Sequence, residues 1–582
     1  MMRRTLALSW ISLLLFAGCS RPDQKASADA SAGPPVSGDW IVVRHDAEPD
    51  ILNPLTQRVA NANYTLYGGN NSQVYEFLMR YDTTTWVLTE PLLAESYPEI
   101  SEDHLVYTFK IRDGIKWHDG KPLTPEDVLF THKAVMVPLV DAAPHRSYFT
   151  GLVNVEILED RKVRFSFDKP DVLNIHHAAN EIPIIPKHIF DPDGSLDGFG
   201  FRDIIGPKGK SDPKIKEFAD RFNKHPNSRM PVGTGPYKFE KWDTGKEIVL
   251  ARNAEYWGPK AYLDKIIYRI ISDQAAAITA LKSGELDMIP RLQPIQYAQQ
   301  TSGEAFDAQF QKSKYSIPQY YFIGWNAERP FFKDKRVRQA LTMLVNRDQI
   351  IETVRFGLAK NVPSHFGPRS PYNNPNVKPL PYDPKRAAEL LDQAGWTDHN
   401  GDGIRDKDGV PFKFEFLGQA GSQFSKQLSA ILKDEFRKAG IEVTERVIEF
   451  TVFVSGVSEH KFDAAPSVWT SPLETDPYEI FHSDSIPNRG SNWVSFRNEE
   501  SDRLIEQART EFDPEKRKQI FWRWQELISE EQPYTFLFHT EDAAAYHKRF
   551  QNVGFIPNRP GHDLKGWFVP TALQKYTAAA VQ

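Results

Sequence analysis

PLLAESYPEISEDHLVYTFKIRDGIKWHDGKPLTPEDVLF, residues 91–130, carries both periods of a mixed fold in one stretch. Leu105, Tyr107, Phe109 and Ile111 alternate with Val106, Thr108, Lys110 and Arg112, which are mostly polar. A period of two predicts a half-buried strand. Gly114 breaks it, and Trp117-His118-Asp119-Gly120 makes a turn. Thr124-Pro125-Glu126-Asp127 then gives a cap, a proline at the first helical position and acids in the first turn. The helix should run to about Val137, before Pro138.

The same mixture continues outward. Val153, Val155 and Ile157 face Val163, Phe165 and Phe167 across Glu159-Asp160, a hairpin pattern. In the second half Asp334 caps a helix with Val337, Ala340, Leu341 and Leu344 inside. Asp383-Pro384 starts another, stopped by Gly395, and Asp513-Pro514 a third, broken at Pro533. Strand-like runs at 412–417 and 441–450 alternate with these helices. The chain is therefore α/β, with no internal repeat.

Composition narrows the function classes. The chain has 582 residues, 40% hydrophobic and 12% aromatic, enough for more than one domain. Net charge is −6 without long runs, which favours neither nucleic acid nor an anionic membrane surface. The single Cys excludes an internal disulfide. That Cys19 follows a start with Arg3 and Arg4, an apolar run at 6–16 and Ala17-Gly18. The pattern is that of a secretory signal peptide over 1–18. It resembles a bacterial lipobox with Phe16 where Leu is usual, which implies lipidation of Cys19. Residues 19–38, rich in Ala, Ser, Pro and Gly, read as a flexible tether. The folded body should start near Asp39.

Four segments carry a resemblance to a known family. They are residues 91–130 above, GTGPYKFEKWDTGKEIVLARNAEYWG at 233–258 continued by ALKSGELDMI at 280–289, PFFKDKRVRQALTMLVNRDQI at 330–350, and YDPKRAAELLDQAGW at 382–396. The string is similar to the extracellular solute-binding proteins of family 5, the oligopeptide, dipeptide and nickel receptors of ABC importers. The resemblance implies a two-lobe periplasmic-binding-protein fold of type 2, in its three-subdomain peptide-receptor form, closing by a hinge. It implies a first lobe from 39–80, 182–290 and 540–582 with an extra subdomain at 81–181, and a second lobe at 291–539. It further implies a receptor, not an enzyme, with no cofactor. Its partners are a peptide or peptide-like solute and the permease subunits, with no nucleic acid. The protein is then a monomer held by its lipid anchor in the periplasm or on the outer face of a bacterial membrane. A receptor for a metal chelate, glycan or antibiotic is the alternative reading.

Members of that family bind in the interlobe cleft. In many peptide binders an Asp soon after a second-lobe Trp pairs with the peptide amine. The matching stretch is FDAAPSVWTSPLETDPYEIF, 462–481. Trp469 aligns, followed by Thr470 and Ser471, but Pro472 or Leu473 falls where the acid belongs. Glu474 and Asp476 are the nearby carboxylates, and turn acids before Pro477 are the plainer reading of both. A first-lobe segment matching a ligand-touching part of the family reads Gln57-Arg58-Val59-Ala60. Arg58 offers a fork to a carboxylate, against the plainer reading of a solvated Arg. Tyr321, Trp325 and Asn326 are expected on a strand ending near the cleft, Trp325 as platform or core and Asn326 as hydrogen-bond partner.

Two rival readings are weaker. Asp398, Asn400, Asp402 and Asp406 imitate a calcium loop, but the twelfth place is Gly409 where a bidentate Glu belongs. A secreted hydrolase lacks support, since there is no HExxH, GxSxG or P-loop pattern. The adjacent His176 and His177 are badly placed to share a metal.

Overall fold

A computed structural model describes residues 34–69, 72–470, 476–487 and 490–576. The expected signal peptide and Cys19, and with them Ser471 and Glu474, lie outside the described residues. Ser37 and Gly38, placed by the sequence in the tether, already bond to the body: the Gly38 N–H donates to the Tyr262 carbonyl at 3.0 Å, and Ser37 Oγ accepts from Arg252 at 3.2 Å.

The opening stretch folds as its pattern dictates. Val106–Lys110 is a strand, and Pro125–Met136 is a helix with Asp127 closing a capping box on Thr124. The Thr124 N–H donates to Asp127 Oδ2 at 2.9 Å. The hairpin pairs Leu152–Ile157 with Lys162–Phe167. Asp160 and Arg161 in its turn sit at φ 56° and 60°, the left-handed geometry a tight hairpin requires. These strands form a four-stranded sheet with Glu99–Ile100. In the second half Asp334, Asp383 and Asp513 each accept a backbone N–H at a helix start.

The large sheet organises the molecule. Trp40–His45 pairs in parallel with Lys265–Ile270 and, through Met288–Ile289, connects to Tyr534–His547. Tyr534–His547 runs antiparallel to Phe310–Trp325 along most of both strands, with a register shift between Ser316 and Tyr320. Pro318 lies inside that shift and has no N–H to give the ladder. Ala464–Thr470 pairs only with the 319–325 part. Lys413–Gln419 and Glu442–Ile448 extend the sheet in parallel.

These two crossing strands pass from one hydrophobic core to another. Tyr315, Ile317, Ala544 and Tyr546 pack with the first core. Tyr320, Phe322, Tyr534 and Phe536 pack with the second. The sequence reading starts the second lobe at 291, but Leu292, Phe306 and Phe310 pack against Val42 and Leu281. The change of core comes at 317–320, where the strand is interrupted, and not at its start. The run read as a strand to Phe450 ends at Ile448, and Phe450–Ser458 is helical. A short apolar run does not separate the two periods.

One ion network closes the first body. The Arg549 guanidinium pairs with Asp39 at 3.2 Å and with both Asp287 oxygens. All three side chains are almost fully buried. The network joins the first strand, the 287 turn and the segment after the second crossing strand.

Candidate ligand cleft

The parallel strands of the second body fix which edge faces the first. Lys413–Gln419, Glu442–Ile448 and Ala464–Thr470 point the same way. Thr470 is in register with Gln319, beside the strand interruption. The carboxyl ends of all three strands therefore border the gap between the bodies, the place where open α/β sheets bind ligands. Phe450, which follows the second of these strand ends, is 57% exposed. Sequence reading passed over it; its signal is an exposed aromatic straight after a strand.

Trp325 and Asn326 are corrections. The strand enters the second body at 320 and runs away from the gap, so its far end is deepest in the core. Trp325 is fully buried against Phe332, Phe414 and Phe436, and its Nε1 donates to Thr535 Oγ1 at 3.0 Å. Asn326 is fully buried and donates to the carbonyls of His460 and Phe462. Alternation gives the faces of a strand and not its direction relative to a hinge. Tyr321 packs on Phe424 and Phe538 beneath the Arg355 guanidinium. Trp469 is half-buried, packs tilted against Trp493 at 4.4 Å between ring centroids and donates to the Tyr534 hydroxyl at 3.3 Å. Thr470 is exposed and accepts from Gln319 Nε2 at 3.1 Å.

On the first body Gln57 donates to Asn63 Oδ1 at 2.8 Å. The Arg58 side chain is 75% exposed, with Asp141 of the same body 3.8 Å away. Val59 and Ala60 begin the helix Ala60–Tyr67. Among the described residues no hydrogen bond or ion pair joins this segment to 469–470.

Beside the crossing strands a cavity opens on the first body. Arg291 Nη2 meets Asp46 Oδ2 at 2.7 Å, and Asn61 donates to the other Asp46 oxygen. Arg559 Nε meets Asp542 Oδ2 at 3.2 Å, while its Nη2 donates to Gln319 Oε1 at 3.2 Å. Gln319 thus links the C-terminal segment to Thr470 of the second body. None of these charges was singled out from sequence. Asp542 carried a signal, since it stands in a buried strand before Ala543, Ala544 and Ala545 and so needs a partner.

A second link crosses at the other end of the gap. The Val172 N–H donates to the Arg509 carbonyl at 2.9 Å. The Arg509 guanidinium lies 2.6 Å from Asp476 of its own body and 3.7 Å from Asp171 of the other. It also covers the Tyr478 ring. His104 stacks on Phe512 at 3.5 Å between centroids. Asp476, a candidate amine anchor, is therefore held by an internal cation. Burial raises the pKa of Asp171, Arg509 opposes that, and Asp476 adds to it.

The calcium-like residues make a surface turn. Asp398 accepts from the N–H groups of Gly401 and Gly403, Asn400 from Asp402, and Asp406 from His399. Among the described residues there is no group of three or more His, Cys, Asp or Glu placed to hold a metal. No described helix is long and apolar enough to cross a membrane.

With the geometry in place, residues 89–492 match the family model of bacterial extracellular solute-binding proteins, family 5 middle region. The chain is 31% identical to the oligopeptide-binding protein AppA of Bacillus subtilis over 98% of this chain and all of that one. The structure of AppA in complex with a nonapeptide superposes with a TM-score of 0.70 at 28% identity, covering 92% of this chain and 100% of that one. NikZ of Campylobacter jejuni, in complex with Ni(L-His), gives 0.68 at 25% identity over 91% and 99%.

Proposed function

The chain belongs to the bacterial extracellular solute-binding proteins of family 5, and from that premise we infer that it captures a peptide or peptide-like solute between its bodies for an ABC importer. The observation that carries the reading is the gap itself. It is floored by two strands common to both bodies, walled by charged groups on one side and by strand ends with an exposed aromatic on the other. AppA, similar along the whole chain, is an oligopeptide-binding protein solved with a nonapeptide. Such receptors shift from open to closed when ligand contacts both bodies. Binding without turnover is the reading, and the permease is the docking partner.

Finer assignments belong to the same proposal. Cys19 is the lipid attachment point, holding a monomeric receptor outside the cytoplasmic membrane. The extra subdomain is 81–181, and the ligand meets the 57–60 segment, Tyr321 and residues 469–471, with Glu474 the acid left for an amine. A chelate receptor is the second reading, supported by the Ni(L-His) complex of NikZ and by the engagement of Asp476 with Arg509.

A thermal-shift screen with peptides of two to ten residues tests the choice. A ligand at a hundredfold over its dissociation constant adds about 2.7 kcal/mol to folded-state stability. Silence from peptides with a shift from a nickel–histidine chelate turns the assignment to the second reading. Cys19→Ala tests the anchor: unchanged membrane fractionation with normal processing removes it.

A further inference from the structure

The gap between the bodies is bounded by two links that share one second-body segment. At the crossing strands Gln319, itself held by Arg559, donates to Thr470 Oγ1 at 3.1 Å. At the other end Asp476 holds the Arg509 guanidinium, which faces Asp171 of the first body at 3.7 Å, and the Arg509 carbonyl accepts the Val172 N–H at 2.9 Å. Thr470 and Asp476 are six positions apart. Six residues span at most about 22 Å whatever course the chain takes. An extended peptide rises about 3.3 Å per residue, so the wall between the links matches about six or seven residues of extended solute.

The far link carries more than an ion pair. The His104 ring stacks on Phe512 with centroids 3.5 Å apart and planes inclined by 5°. Both residues are half-buried. Phe512 packs in none of the hydrophobic cores of the described residues, and its only ring partner among them is His104 on the other body. Each ring stands on a pinned turn. His104 sits at φ 55°, a left-handed geometry that is strained for a residue with a Cβ. Asp103 fixes that turn by accepting from Ser101 Oγ at 2.6 Å and from the Leu105 N–H at 3.1 Å. Phe512 lies between the helices Glu499–Thr510 and Pro514–Glu531, where Arg517 donates to the Glu511 carbonyl at 3.0 Å. A strained turn and an interhelix turn thus present two flat faces to each other across the gap.

We propose that the His104–Phe512 stack and the Asp171–Arg509 pair form a clasp that selects the solute by length. The inference rests on the peptide-receptor reading above. A solute that fits between the links lets the clasp form and gains its contacts. A longer one holds the clasp apart and forfeits them. The clasp acts on the equilibrium between the bodies and not on solute atoms.

The test uses the mature protein and peptides of alternating alanine and serine, three, five and nine residues long, titrated by calorimetry. Nine is the length of the peptide in the AppA complex. Wild type should bind the pentamer at least fivefold more tightly than the nonamer. Phe512→Ala should weaken the trimer and pentamer about fivefold and leave the nonamer unchanged. His104→Asn removes the ring but keeps a residue that tolerates the left-handed turn, and it should do the same. The double variant should lose no more than either single one, which marks a direct contact and not two separate folding defects. Equal binding of pentamer and nonamer by wild type overturns the proposal. So does an equal loss at every length in the variants, which makes the stack a plain contribution to closure, and so do unchanged affinities at every length. If no peptide of any length binds wild type, the peptide reading fails and the length filter with it, whereas parallel losses sink the filter alone.

Discussion

Arg549 and Arg509 each sit between two carboxylates, yet they do different work. Arg549 has both partners, Asp39 and Asp287, inside one body, with all three groups almost dry. Arg509 has Asp476 on its own body and Asp171 on the other, with about a quarter of its side chain and of Asp171's in water. The first network can only stabilise folding, since its parts never separate in the native protein. Only the Asp171 arm of the second depends on the bodies being together, so that arm alone belongs to closure. Location of the partners, not the number of ion pairs, decides which equilibrium an arginine acts on.

The largest effect should therefore come from Arg549→Ala. It leaves two buried carboxylates unpaired and should cost about 3–5 kcal/mol of stability by urea unfolding, while ligand affinity of the folded fraction is unchanged. A loss below about 1 kcal/mol breaks the comparison on its structural side.

Arg509→Ala should act on both equilibria. Hydrogen bonds to charged groups contribute about 1.5–3 kcal/mol, and here the loss should appear in ligand affinity and in a more open scattering profile. The buried Asp476 also loses its cation within its own body, so the urea midpoint should fall too, by less than in Arg549→Ala. A stability loss as large as that of Arg549→Ala, with unchanged affinity, makes Arg509 an ordinary folding contact.

Asp171 sharpens the point through pH. Its pKa is raised where it faces Arg509 across the two bodies, mainly by burial. Opening returns the group to water and to its ordinary value. The closed form then binds the proton more tightly, so closure strengthens as pH falls through the raised value toward the ordinary carboxylate value. Asp171→Asn should flatten that dependence in calorimetric affinity, by less than about 1 kcal/mol at this partly exposed site. An unchanged slope assigns the dependence to another group.

The smallest effect belongs to the surface turn at 398–406. Asp398→Ala should change ligand affinity by under about 0.5 kcal/mol, measured in the same titration, with no response to added calcium. A loss near that of Arg509→Ala would mean that the turn takes part in closure.

Local structure was legible wherever a short-range rule governs it. The capping box at Thr124, the hairpin at Glu159-Asp160 and the Asp N-caps all follow from neighbours in sequence. The site was legible only in part. Asp46 and Arg291 are 245 positions apart, and no spacing rule reaches that far. Trp325 and Asn326 were misplaced because the direction of their strand depends on where the hinge falls. Position 291 was read as the edge of a lobe because a boundary inside a continuous strand leaves no composition shift. Only Pro318 hinted at the interruption. Asp476 was legible as a charged group near the gap, but its engagement by Arg509 was not.

The crossing strands also set the mechanics of the molecule. Phe310–Trp325 and Tyr534–His547 are laddered together on both sides of the 316–320 interruption. Sliding one body past the other would shear the ladders on both sides at once, whereas bending at the interruption leaves each intact. The pair is a flexure with its compliance confined to a few residues, and the two bodies turn about it as rigid plates.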